Sequence, residues 1–473
     1  MEEISKYDSL YFIGAGGIGM AALERYFLAK GYRVAGYDRT CTALTDALAR
    51  EGVEMCYDES AGLIPEYCRD PRHTLVVYTP AIPDSHEGLR YFRAGGFEVM
   101  KRAQVLGLIT RNSRGLCFSG THGKTTTSSM AAHILHNSAI GCSAFLGGIM
   151  RNYGSNFLLD KHSDYTVIEA DEYDRSFHWL HPFVAVVTAT DPDHLDIYGT
   201  EEAYLESFSH FTELIDPEGI LIVHKGLKFT PRPAPGVRVF TYSRSEGDFH
   251  AEDVRCGEGE IIFDLVLPTG RKVRDIKLGV PVDINIENAI AAMAVCHLIG
   301  AGDDELRNGI ATYQGTKRRF EFWMKEPGEH GRVVIDDYAH HPDELKASIE
   351  SVRKLYPGRK LTVAFQPHLY SRTRDFYHQF AEALSMADEA IVLDIYPARE
   401  EPLPGVTADL IFDEIGKGPL SKVRTKVRCQ VRDLADVLAS RQYDGELDVL
   451  LTAGAGDICD YLPDICKALK GER

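Results

Sequence analysis

The stretch RGLCFSGTHGKTTTSSMAAHIL, residues 114–135, decides how the middle of this chain folds. RGLCFS reads as a short apolar strand, GTHG as a turn of small and polar residues, and KTTTSSMAAHIL as a helix. A strand that opens a helix through a glycine turn aims consecutive backbone N–H groups at one spot, where the helix dipole also favours negative charge. Lys124 adds an ammonium and Thr125 a hydroxyl, so the loop has the parts needed to hold phosphates and a metal ion. It departs from the usual G-x-x-x-x-G-K-[ST] pattern, because Phe118 stands six residues before Lys124, where a glycine is expected. Gly120, Thr121, His122, Gly123, Lys124, Thr125 and Thr126 are the candidate phosphate-binding residues. A threonine-rich turn that only caps a helix is the competing reading.

Working outward, the same order recurs at the amino end. GAGGIG, residues 14–19, is G-x-G-x-x-G between the apolar SLYFI and the helical GMAALERYFLAKGY. Asp38 stands 19 residues beyond Gly19, at the end of the next strand, RVAGYD. Gly14, Gly16, Gly17, Ile18 and Gly19 therefore suit a pyrophosphate at a helix start, and Asp38 suits a ribose hydroxyl. A nicotinamide cofactor is the default reading of that pattern, yet a dehydrogenase has no use for the second phosphate loop a hundred residues later. Toward the carboxyl end, DDYAHHPDE (336–344) and FQPHLYSRTRDF (365–376) each follow a strand, which places them at the carboxyl edge of a sheet, where doubly wound folds bind ligands. Arg372 and Arg374 offer planar donors there, although arginines beside a turn often only pair with surface acids.

Two acid-bearing stretches lie between these landmarks. IEADEYDRSF, residues 168–177, puts Glu169, Asp171, Glu172 and Asp174 at a strand end, and clustered carboxylates either coordinate a cation or form a solvated turn. The strand before them should neighbour the phosphate loop, which favours Glu169 as a metal ligand. DPDHLDIYG, residues 191–199, offers His194 as a second ligand, against the ordinary alternative of a structural histidine.

At 473 residues the chain is too long for one core, and about 150 residues per domain suggests three. Alternating strands and helices make all three α/β: residues 1–112, 113–317 and 318–473. A formal net charge of −18 argues against a nucleic-acid partner, which would need a basic field. No apolar run approaches membrane-spanning length, and MEEISKYDS lacks the order of a signal peptide, so membrane insertion is not expected and a cytoplasmic location is. The ten cysteines contain no C-x-x-C pair, so neither a zinc knuckle nor a disulfide framework is indicated.

Taken in order, GAGGIGM, GTHGKTTT, EADEYDRSF, DHLDIYG, NIENAIAA, KRRFE, DDYAHHP and FQPHLYSRTRDF resemble the Mur ligases of bacterial cell-wall (peptidoglycan) synthesis over essentially the whole chain. In that family the phosphate loop has the shortened form seen here. The resemblance implies a Rossmann-like amino-terminal domain holding a UDP-sugar, a central P-loop ATPase-like domain, and a Rossmann-like carboxyl-terminal domain that closes over them with the amino acid. It also implies an ATP- and Mg²⁺-dependent amide ligase. In its alanine-adding branch, L-alanine is joined to the lactyl carboxylate of UDP-N-acetylmuramate. A monomer or weak homodimer is expected.

Carried over by motif, Lys124 and Thr125 hold phosphate and Mg²⁺, with Glu169 and His194 as metal ligands. Asn288 lies on the adenine side, Arg319 approaches the ATP phosphates, and Arg102 matches a sugar-nucleotide site. Asp337 and Tyr338 close around the nucleotide, while His340 and Arg372 orient the amino acid. The chain departs from many relatives at Ile284 (for His), Gln104 (for Glu) and Leu369 (often Arg). Phe211 replaces a carbamylated lysine found in several branches, as in the alanine-adding one.

Overall fold

The structure, a computed structural model, describes residues 4–192, 195–257, 259–328, 331–398, 400–418, 421–443 and 447–471. The chain divides into two compact units, one comprising Met1–Glu252, Asp264–Ile276 and Ile286–Tyr313, the other Asp253–Phe263, Lys277–Asn285 and Gln314–Arg473.

The first unit contains two sheets. Strands β1 (Ser9–Ile13), β2 (Arg33–Tyr37), β3 (Glu54–Cys56), β4 (Thr74–Tyr78) and β5 (Glu98–Lys101) are all parallel in the order β3-β2-β1-β4-β5. The five residues of β1 are buried, as the apolar run SLYFI requires of a central parallel strand. Helices α1 (Ile18–Ala29), α2 (Ala43–Glu51) and α3 (Glu87–Ala94) supply crossovers, and α4 (Arg102–Arg111) leads from β5 to the next sheet.

The second sheet is built from β6 (Arg114–Ser119), β7 (Ser143–Met150), β8 (Ser155–Leu158), β9 (Tyr165–Glu169), β10 (Pro182–Val187), β11 (Ile220–His224) and β12 (Arg238–Tyr242), in the order β12-β11-β10-β6-β9-β7-β8. Only the β7–β8 pair in it is antiparallel. Its helices include α5 (Lys124–His136), α6 (Leu195–Tyr198) and α7 (Glu201–Glu213). The two sheets share a core because α1 packs on β7 and β8: Tyr26 lies against Phe145 with ring centroids 5.4 Å apart and edge-on to Phe157 at 6.3 Å. Strands β13 (His250–Gly257), β14 (Glu260–Val266) and β15 (Lys272–Lys277) form a three-stranded sheet in chain order, followed by α8 (Ile284–Leu298) and α9 (Asp303–Thr312).

The second unit carries β16 (Glu321–Lys325), β17 (Val333–Asp337), β18 (Leu361–Phe365), β19 (Glu389–Val392), β20 (Thr425–Arg428) and β21 (Val449–Ala453) in the order β16-β17-β21-β18-β19-β20. Every pairing except β16–β17 is parallel. Helices α10 (Pro342–Leu355), α11 (Tyr370–Leu384), α12 (Asp409–Glu414), α13 (Leu434–Tyr443) and α14 (Leu462–Lys470) complete it.

Candidate active site

Both glycines of the phosphate loop are required by geometry. Gly120 has φ of +134°, and a side chain there would drive a Cβ to 2.7 Å from Ala189 N; Gly123, at φ +82°, would place one 2.8 Å from Asn288 Oδ1. The turn is tied to the end of β10: Thr121 N donates to Ala189 O (3.0 Å), and its hydroxyl donates to Asp191 O (2.7 Å) and lies 2.8 Å from Tyr204 Oη. Thr121 therefore anchors the loop through its N–H and its hydroxyl. His122 is exposed, and its carbonyl accepts from the Thr188 hydroxyl at 2.5 Å. Helix α5 begins at Lys124, so the N–H groups of Lys124, Thr125 and Thr126 belong to its first turn, where the i−4 acceptors are missing. Thr127 donates to Asn288 Oδ1 (3.2 Å), which braces α8 against the loop.

Strands β6 and β9 are neighbours, and this brings the acid cluster to Lys124. The ammonium lies 2.9 Å from Glu172 Oε1 and 2.8 Å from Oε2, and also donates to Gly120 O at 2.8 Å. Thr125 donates to Glu169 Oε1 at 3.0 Å, and Gly147 N to Glu169 Oε2 at 3.0 Å. Burial pushes the Glu169 carboxyl above its ordinary range, against the Thr125 hydrogen bond and the Lys124 charge; burial does the same to Glu172, opposed chiefly by Lys124. One hydroxyl and one carboxylate at contact distance are a hard oxygen set of the kind Mg²⁺ accepts, since it takes one or two carboxylates and keeps several waters. Among the described residues no group of three or more His, Cys, Asp or Glu could hold a metal. His194 lies outside the described residues.

A cavity of about 320 Å³ joins the two sheets' chemistry, lined by Gly17, Ile18, Gly19 and Met20 of the amino-terminal turn, by Thr79, Arg102 and Leu106, and by Phe145, Gly147, Glu169 and Asp171. Gly19 is where the Arg102 guanidinium crosses α1: an added Cβ would lie 3.1 Å from its Cζ. Arg102 Nη2 sits 3.7 Å from Asp171 Oδ2, and Lys101 pairs with Asp174 at 2.7 Å. Gly14 has φ of +88° and starts the turn. Asp38 holds that turn by accepting from Gly16 N at 2.7 Å and also accepts from Thr40 N at 3.1 Å. Gln104 accepts from Lys101 N at 2.7 Å and so caps α4. Phe211 is buried and stacks on Phe177 with centroids 4.9 Å apart, an apolar core position. Ile284 is exposed at the start of α8.

In the second unit the remaining candidates gather at the carboxyl edge of the sheet. Asp337 Oδ1 accepts from Phe320 N (3.1 Å) and Tyr338 N (3.0 Å), while Oδ2 accepts from the Ser348 hydroxyl; desolvation raises its pKa. His340 Nδ1 lies 3.0 Å from Tyr338 O and 3.2 Å from Glu344, and Arg372 Nη1 reaches His340 O at 3.5 Å. Arg319 is exposed, with Asp337 and Glu344 within reach of its charge. Arg374 pairs with its neighbour Asp375 at 2.7 Å, which is the surface-pair alternative.

Three residues that motif reading passes over shape these sites. Glu172 binds Lys124, but four acids in six positions give no sign of which one turns inward. Arg318, next to Arg319, donates to Gly454 O (2.8 Å) and Gly456 O (2.9 Å) and stacks on Tyr338 at 4.6 Å. Asn156, fully buried, donates to Ile18 O at 2.6 Å and accepts from Arg25 at 3.1 Å, tying β8 to the amino-terminal glycine turn.

Comparison with known proteins agrees along the length of the chain. Three family profiles match in succession: Mur ligase family, catalytic domain (residues 9–114), Mur ligase middle domain (118–296), and Mur ligase, glutamate ligase domain (318–456). A UDP-N-acetylmuramate--L-alanine ligase of Phocaeicola vulgatus is 56% identical over 467 residues, covering 99% of each chain. The enzyme of the same name from Porphyromonas gingivalis is 51% identical over 451 residues, covering 95% of this chain and 96% of that one. Among solved structures, the UDP-N-acetylmuramate-alanine ligase of Thermotoga maritima superimposes with a TM-score of 0.79 at 25% identity, covering 98% of this chain and 100% of that one.

Proposed function

Because this chain belongs to the Mur ligase family, we propose that it uses ATP to join L-alanine to the lactyl carboxylate of UDP-N-acetylmuramate, in the synthesis of peptidoglycan precursors. The observation that carries this reading is the single cavity running from the glycine turn at residues 17–19 to Glu169, whose carboxylate is hydrogen-bonded to Thr125 beside Lys124. An acid entering from the first sheet would meet a phosphoryl group seated at the start of α5.

A carboxylate resists an amine because its negative charge repels the lone pair and oxide is a very poor leaving group. Phosphorylation removes both obstacles. The lactyl carboxylate oxygen attacks the γ-phosphorus, the bond to the β-bridging oxygen breaks, and ADP leaves. The alanine amine then attacks the carbonyl carbon, loses a proton, and the tetrahedral intermediate expels inorganic phosphate. Lys124 and the N–H groups at the start of α5 stabilise charge on the transferring group, which is where most of the catalysis of phosphoryl transfer lies. Thr125 and Glu169, with His194, are the residues proposed to hold Mg²⁺, which when bound supplies further charge neutralisation between the two anionic substrates.

Arg102, beside Gly19, is positioned to pair with the anionic acceptor, and the turn at Gly14–Gly19 with Asp38 is proposed for the UDP moiety. Asn288, Arg319, Asp337 and Tyr338 are assigned to the nucleotide, and His340 and Arg372 to the amino acid. The three working domains are proposed as 1–112, 113–317 and 318–473. No helix among the described residues is long and apolar enough to cross a membrane. A cytoplasmic monomer or weak homodimer is the state we propose, because ATP and the nucleotide-sugar are supplied there.

Phosphate release with ATP, Mg²⁺ and UDP-N-acetylmuramate, scanned over amino acids, tests the assignment. Release above background with L-alanine is expected, with glutamate and peptides far slower. Release that ignores the amino acid, or that needs no acceptor, would contradict it.

A further inference from the structure

The Lys124 ammonium is not presented to solvent as a bare charge. It sits between Gly120 O at 2.8 Å and the carboxylate of Glu172, a residue only 1% exposed. Glu172 itself is fixed from several sides. Tyr198 Oη donates to its carbonyl at 2.5 Å, and Arg175 N donates to the same oxygen at 3.0 Å. The following residues, Asp174 and Arg175, take left-handed φ values of 52° and 54°; Asp174 is bound to Lys101, and Arg175 stacks on Tyr198 at 4.6 Å. Two successive non-glycine residues in that conformation are unfavourable on their own, so the surrounding contacts must over-determine this turn. The lysine, on a flexible four-carbon stem, is the movable member of the pair.

We infer that Glu172 is a positioning residue for the phosphate-loop lysine, an internal anion whose ion pair with Lys124 a triphosphate oxygen has to share or displace. The inference rests on the reading that Lys124 holds phosphate. Lys124 is paired with Glu172, and the adjacent Thr125 holds a second carboxylate, Glu169, so the loop alone is a poor trap for a polyanion. Holding the lysine raises turnover, because the charge is already in place when the γ-phosphoryl arrives; competing for it lowers affinity. A residue that only supported the fold would not produce these opposed effects.

The experiment measures binding of a non-hydrolysable ATP analogue with Mg²⁺ to the full chain by calorimetry, alongside kcat and KM for ATP. In Glu172→Gln the analogue should bind about tenfold more tightly while kcat falls about tenfold or more. Should that variant not fold, Glu172→Asp, which withdraws the carboxylate by one methylene, should tighten binding by a smaller factor and also lower kcat. Unchanged or weaker binding in a folded Glu172 variant would overturn the inference. Lys124→Ala separates the underlying reading: if it leaves analogue affinity unaltered, the phosphate assignment fails, whereas weakened binding there without tightening in Glu172→Gln removes only the role given to Glu172.

Discussion

In the first unit, Lys124, Thr125 and Glu169 meet because β6 and β9 are adjacent parallel strands whose ends each carry their chemistry within a few residues. At the carboxyl edge of the second unit the candidates Asp337 and His340 are held by residues close in sequence, while the side chains beside them are placed by distant partners. Arg318 is held by carbonyls of Gly454 and Gly456, and His368 stacks on Tyr396. The backbone there takes left-handed φ values at Arg318, Phe320 and Leu369. The strand, turn and helix that carry Lys124 and Thr125 are specified by local sequence, and a neighbouring strand then brings Glu169 to them. A recognition edge assembled from several loops is specified only once the whole sheet exists.

The sharpest way to break this comparison is Lys124→Ala. If the loop is a self-contained device, turnover should fall by at least 10²–10³-fold, about 3–4 kcal/mol of charge stabilisation, with the melting profile little changed. Steady-state phosphate release together with thermal unfolding checks both halves, and near-normal turnover would remove the loop from the mechanism.

Next in size is an acid effect on the helix behind the loop. His133, on α5, is enclosed between Tyr153 Oη at 2.7 Å and Thr312 Oγ1 at 2.9 Å, and burial lowers its pKa to about 4. The folded imidazole thus stays neutral where the unfolded one, at about 6.5, binds a proton. Between those values the unfolded chain holds more protons, so stability should fall as pH drops from about 6.5 to 4 and this contribution should level off below that. The full loss is on the order of 3 kcal/mol. Urea unfolding across this range should show the slope, and His133→Gln should flatten it; an unchanged slope in that variant would place the acid sensitivity elsewhere.

Smaller still is the expected effect of Arg102→Ala, a loss of about 2 kcal/mol in acceptor binding from one charged hydrogen-bond partner. It should raise KM for the nucleotide-sugar more than tenfold while leaving that for ATP close to normal. An equal rise in both would show that the cavity does not separate the two substrates.

The smallest effect sharpens the other side of the comparison. Leu369 has φ of 68° and ψ of 137° at the start of α11, outside the conformations that suit a branched side chain. Leu369→Gly should therefore stabilise the protein by about 1 kcal/mol in urea unfolding, the released strain exceeding the entropy glycine adds to the unfolded chain. A loss of stability would mean that leucine packing outweighs the strain.

These contrasts explain what could be read in advance. The strand–turn–helix units at residues 9–29 and 114–136 were legible because glycine, lysine and threonine at fixed offsets between a strand and a helix leave few alternatives. The pairing of Thr125 with Glu169 followed from expecting their strands to be neighbours. Glu172 was not legible: it is followed by a left-handed turn at Asp174 and Arg175, and although aspartate tolerates that conformation, arginine gives no sign of it. Arg318 and Arg319 look alike in RRFE, and only the distant glycine carbonyls decide which one is locked. Thr121 looked like a phosphate donor, while its hydroxyl and N–H are committed to the end of β10.

The central claim is that the acceptor carboxylate and the γ-phosphoryl group react directly through the cavity between the two sheets of the first unit. UDP-N-acetylmuramate carrying ¹⁸O in its lactyl carboxylate tests this, with mass analysis of the phosphate released in the presence of ATP and L-alanine. One labelled oxygen should appear in each phosphate, because the carboxylate oxygen bonded to phosphorus leaves with it when the amide forms. Phosphate without label would contradict the account.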